Sequence, residues 1–131
     1  MNVLLLLRIL PYLAAALIAG CSTKSMNELI GMYSVTYPHG TETLRLEKDN
    51  VFTQLYTSST TSLSITNSGT WEFLGKDNAI LLRDVIEFEQ WDEEDSLDPE
   101  RIVWRIRIAR RFGKISLIIR EDEVLEYKRV Q

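Results

Sequence analysis

The segment RIVWRIRIAR, Arg101–Arg110, constrains this chain more than any other. Ile102, Trp104, Ile106 and Ile108 share one parity, while Arg101, Arg105 and Arg107 share the other. A two-residue period is the signature of a strand, whose successive side chains point to opposite faces. One face of this strand is therefore predicted to be buried and the other solvated. The same period recurs in Leu29–Tyr37, Glu42–Lys48, Val51–Thr57, about Ser62–Leu74, Ala79–Gln90, Lys114–Arg120 and Val124–Val130. Turn signals punctuate these runs at roughly ten-residue spacing. No stretch reads as an amphipathic helix. The fold class predicted is all-β: an antiparallel up-and-down meander of about eight strands, closed into a barrel or nearly so.

Some connections can be specified from register. Placing Leu46 opposite Phe52 makes Lys48-Asp49-Asn50 a three-residue loop, with Asn50 in the left-handed position. A one-residue slip would send the apolar set to the wrong face. Phe112-Gly113 is a two-residue turn that aligns Ile108 with Leu117. Leu63, Ile65, Gly69, Trp71 and Phe73 share a parity, which predicts one long strand. Asn67-Ser68-Gly69 is the expected place for a bulge or bend within it.

The amino-terminal part has a different character. Ile9–Ala19 is an apolar run too short to span a bilayer, which takes about 20 residues, but suited to a secretory signal. It leads into Leu17-Ile18-Ala19-Gly20-Cys21, which holds the chain's single cysteine. This pentapeptide resembles the lipobox of bacterial lipoproteins. The resemblance implies that residues 1–20 are a cleaved signal peptide and that Cys21 carries diacylglyceryl and amide-linked acyl chains, such as palmitate. It also implies that residues 21–27 are a lipidated tether and residues 28–131 the domain. Two or more acyl chains anchor stably where one is marginal. Lipidation uses the only thiol, which leaves none for a disulfide, thiol catalysis or a cysteine metal site. Ser22 stands where an Asp would favour retention at the inner membrane. The expected location is therefore the cell envelope, at the outer membrane facing the periplasm.

The chain has 15 basic and 19 acidic side chains, a formal net charge of −4. Removing residues 1–20 takes away Arg8 and leaves a net of −5. No lysine block is present to neutralise phosphates, so no nucleic-acid partner is expected.

The order of motifs carries a second resemblance. Gly31-Met32-Tyr33 comes early, then ETLRLEKDNVFTQ, then GTWEF at Gly69–Phe73. This succession is similar to the small lipocalin-like domains of bacterial lipoproteins, with Tyr33 where lipocalins proper carry a tryptophan. The resemblance implies a non-catalytic binding module.

Seven rings mostly take inward parity: Tyr33, Phe52, Tyr56, Trp71, Phe73, Trp104 and Tyr127. They either line a pocket for a small apolar ligand or fill the barrel, since eight strands leave an interior just wide enough for side chains. Arg101, Arg105 and Arg107, extended by Arg110 and Arg111, form a basic outer stripe. It suits anionic headgroups, a phosphate-bearing glycolipid or an acidic envelope protein. The plainer reading is a solvated face paired with Glu87 and Glu89. The acidic run Asp92–Asp95, with Asp98 and Glu100, lacks the glycine and spacing of a calcium loop and reads as a solvated loop. His39, the only histidine, sits in the turn Pro38-His39-Gly40 and is expected to be exposed and idle. No metal site, cofactor or nucleophile elbow is expected, and the chain does not read as an enzyme.

Overall fold

In the computed structural model, residues 25–91, 98–122 and 125–130 are described. A single 3₁₀ turn, Met26–Glu28, precedes eight strands. These are β1 (Gly31–Tyr37), β2 (Gly40–Leu46), β3 (Val51–Ser58), β4 (Ser64–Leu74), β5 (Ala79–Ile86), β6 (Arg101–Arg111), β7 (Lys114–Arg120) and β8 (Leu125–Arg129). Each strand pairs antiparallel with its sequence neighbour, and β8 pairs back on β1 through Tyr33 opposite Arg129. The molecule is thus the closed up-and-down barrel that the alternation predicts. Closure removes the free sheet edges that an open meander would expose.

The register follows from the apolar pattern. Leu46 pairs with Phe52, and Asn50 closes the three-residue loop at φ 61°. Ile108 pairs with Leu117, and the two-residue turn between β6 and β7 puts Phe112 at φ 52° and Gly113 at φ 78°. Two positive φ values in succession match the twist that a tight hairpin requires.

The expected bulge is found elsewhere. The pairing of β4 with β3 runs without interruption through Asn67, Ser68 and Gly69. The irregularity lies in β5, between Arg83 and Val85, where Asp84 takes φ 64°. Gly69 serves close approach instead. A Cβ there would overlap the Arg83 carbonyl and come within 2.6 Å of the Phe52 ring.

The connections alternate between two ends. At the N-terminal end lie the Met26–Glu28 turn and the β2–β3, β4–β5 and β6–β7 turns. At the far end lie the β1–β2, β3–β4 and β7–β8 turns and the connection from β5 to β6.

Candidate functional site

The interior is divided into two halves by chemistry. Toward the N-terminal end it is apolar: Leu29, Leu44, Leu46, Phe52, Trp71, Ile80, Ile106 and Leu117 are all buried. This end is sealed by the chain preceding β1. Leu29 is wholly buried, and its carbonyl accepts a 2.7 Å hydrogen bond from the Tyr33 hydroxyl. Arg129 donates to the carbonyls of Glu28 and Ile30, each at 2.6 Å, and lies 5.8 Å from the centre of the Tyr33 ring. Burial pushes the Tyr33 hydroxyl up to about 12, and the Arg129 charge partly opposes this. The Trp71 indole N–H donates to the Glu47 carbonyl at 2.9 Å, which ties the β2–β3 loop to the core.

Toward the far end the interior is polar. Glu42 on β2, Gln54 on β3 and Asn67 on β4 are buried side chains within the barrel. The Gln54 amide nitrogen donates to Glu42 Oε1 at 2.7 Å and to the Ile86 carbonyl at 2.9 Å. Its oxygen accepts from Asn67 Nδ2 at 2.8 Å and from the Ile86 N–H at 3.0 Å. Asn67 Nδ2 also donates to the Asp84 carbonyl at 2.7 Å, and Asn67 Oδ1 accepts from Arg101 Nε at 3.1 Å. Tyr127 and Tyr37 complete the Glu42 carboxyl by donating to Oε1 and Oε2, each at 2.7 Å. The bulge at Asp84 now has a reason, since its carbonyl is an acceptor in this chain.

Burial raises the Glu42 carboxyl above its ordinary value, against the lowering effect of its three donors. The Tyr37 and Tyr127 hydroxyls are raised by burial and by the Glu42 charge. A buried polar group without a partner costs about 1–3 kcal/mol. Gln54 has every donor and acceptor occupied, and the network ties β2, β3, β4 and the end of β5 to Tyr37 of β1, Arg101 of β6 and Tyr127 of β8.

Aromatic chain after β5 covers the polar half. Phe88 stacks on Tyr56 with centroids 4.7 Å apart, and Trp91 meets both edge-on. His39 belongs to this closure, which corrects the expectation of an idle, exposed turn histidine. Its Nδ1 lies 2.7 Å from the Tyr56 hydroxyl, its Nε2 lies 3.4 Å from the Glu89 carbonyl, and its ring stacks on Tyr37. Arg120 pairs with Glu89 at 2.7 Å and holds the same segment down.

Of the seven rings singled out in the sequence, Tyr33, Phe52, Tyr56, Trp71 and Tyr127 are at most 1% exposed and belong to one core. Phe73 and Trp104 are partly buried against it. Four grooves of roughly 270–410 Å³ are lined by rim and strand residues, and none of the four is lined by any of the seven rings.

The arginine stripe is exposed as expected, but its partners differ from Glu87 and Glu89. Arg105 pairs with Asp77 at 3.4 Å and Arg107 with Glu121 at 2.6 Å. Arg101 pairs with Asp98 at 3.6 Å while also reaching Asn67. Cys21, the segment 1–20 and the acidic residues 92–97 lie outside the described residues. Among the described residues, no group of three His, Cys, Asp or Glu side chains is placed to hold a metal ion.

Apolar periodicity does not reveal the polar chain, because its members occupy inward positions with polar side chains. Glu42 shares the parity of Leu44 and Leu46, and Gln54 that of Phe52 and Tyr56. A polar residue at such a position signals an interior hydrogen bond. Comparisons with family models, curated proteins and solved structures find no match to this chain.

Proposed function

We propose that the chain is a non-catalytic, lipid-anchored binding module of the cell envelope. In this reading Cys21 carries the anchor at the outer membrane, and the barrel works through its outer surface. The observation that supports it most is the filled interior. Five large rings are at most 1% exposed, and the polar groups beside them are bonded to one another. A carrier needs unspent apolar surface facing a cavity. Here the rings are buried in one packed core, and the outside is left as the working face for an envelope protein or assembly. The competing reading, a small apolar ligand held among the same rings, requires them to part.

One preparation tests both elements. The full-length protein is purified from a bacterial envelope in mild detergent and weighed by native mass spectrometry, beside solvent extraction. Added mass of a lipidated cysteine that disappears in Cys21→Ser supports the anchor, and its absence overturns it. A protein free of any other bound molecule supports the filled barrel. A stoichiometric lipid or small apolar molecule that survives in Cys21→Ser overturns it in favour of a carrier.

A further inference from the structure

The tip of the β6–β7 hairpin has no structural task that accounts for its composition. Phe112 is fully exposed, at 105% of the reference area. It also sits at φ 52°, a conformation that suits Asn or Gly and strains a bulky side chain. A residue that gives up both burial and backbone comfort points to a role outside the barrel.

Its surroundings indicate which role. Arg110, Arg111, Lys114, Lys128 and Arg129 line the two grooves flanking the tip, against the carboxylates of Glu28 and Glu126. Five cations against two carboxylates make this corner basic in a chain whose formal charge is −4. Arg110 pairs with Glu28 at 2.8 Å, so the hairpin lies against the first described turn. Cys21 precedes Ser25 by four residues, a reach of at most about 14 Å. Val130, 54% exposed just past β8, adds a second apolar side chain at the same end.

We propose that this corner is a membrane-docking surface. Phe112 enters the headgroup region of the bilayer beside the anchor, and the surrounding cations meet anionic lipid headgroups. The inference rests on the lipid-anchored reading above and adds an orientation to it. The N-terminal end of the barrel faces the bilayer, and the far end, with the β5–β6 connection, faces away. An exposed aromatic ringed by cations is the composition that interfacial contacts use, and a second membrane signal strengthens an acyl anchor.

The anchor supplies a clean test. A lipidated Cys21 has no free thiol, so Phe112→Cys in the full chain creates a single site for a polarity-sensitive nitrobenzoxadiazole probe. Ser59→Cys, in the exposed β3–β4 turn at the far end, is the control. Both lipidated proteins are placed on phosphatidylethanolamine vesicles with and without phosphatidylglycerol. Probe emission at residue 112 should rise about twofold or more and shift to the blue with phosphatidylglycerol, and less without it, while residue 59 stays unchanged. A lipidated protein whose residue 112 does not respond overturns the docking surface and leaves the anchor standing. An equal response at both residues overturns the orientation, and one independent of phosphatidylglycerol overturns the headgroup contact. A protein that mass spectrometry finds unlipidated, labelled at two thiols, overturns the anchor and the docking with it.

Discussion

The two halves of the barrel interior solve the same problem by different means. The N-terminal half is a packed apolar core, stoppered by Leu29 and tied by single hydrogen bonds from Tyr33 and Trp71. The far half is a hydrogen-bonded chain from Arg101 through Asn67 and Gln54 to Glu42, roofed by Tyr56, Phe88 and Trp91. The difference lies in what each half can tolerate. Apolar packing is non-directional, so it forgives small shifts and suffers mainly from lost volume. A polar network is directional, and one missing member strands several others.

The largest effect should come from the apolar half. Trp71→Ala removes a wholly buried indole, and a loss of about 3–5 kcal/mol is expected in urea unfolding. A loss under about 1 kcal/mol would mean that this half is looser than its burial implies.

Gln54→Leu conserves volume but takes the side-chain partner from the Ile86 N–H and carbonyl and one of two acceptors from the Asn67 amide nitrogen. The expected cost is about 3 kcal/mol. Amide exchange should speed most at Ile86, which separates this from a uniform loss of packing.

Inside the barrel, the pH response between about pH 4 and about pH 8 belongs to the polar half. Burial raises the Glu42 carboxyl above its ordinary 4.5, so the folded chain takes up this proton more readily than the unfolded one. Its contribution to stability is therefore complete below about 4.5 and declines as pH rises through the higher folded value. Urea midpoints from about pH 4 to about pH 8 should carry this falling component in the wild type and lack it in Glu42→Gln. Equal slopes would show that the buried carboxyl titrates as it does in the unfolded chain.

Tyr33→Phe tests the stopper. Loss of the hydroxyl leaves the Leu29 carbonyl unpartnered, for about 1 kcal/mol, with faster proteolysis just before β1 and no change at the far end. The smallest effect is expected outside both halves. Arg107→Gln breaks a pair with Glu121 whose side chains are 52% and 67% exposed, and should change stability by no more than about 0.5 kcal/mol.

Much of this architecture was legible in advance, for identifiable reasons. The alternation in RIVWRIRIAR and its counterparts names the strands, because the period of two is a local property of the chain. The pairs Leu46 with Phe52 and Ile108 with Leu117 follow from the same parity plus loop length. The bulge was misplaced because Gly69 carries two possible meanings. Only the neighbouring strand shows that it makes room for the Arg83 carbonyl and the Phe52 ring.

The sequence by itself determined the strand order, the facing of the strands whose alternation is unbroken and the two tight hairpin registers. These depend on residues close together along the chain, where parity and turn chemistry act directly. Tertiary structure alone decided what those faces meet. Tyr127 reaches Glu42 from 85 positions away, and Gln54 meets Ile86 from 32. Closing the barrel between β1 and β8 brings such groups within hydrogen-bond range. Closure also turns His39 from a turn residue into part of a roof and sets the Phe112 hairpin beside the Met26–Glu28 turn. No local pattern encodes those meetings, because they follow from how a twisted eight-stranded sheet returns on itself.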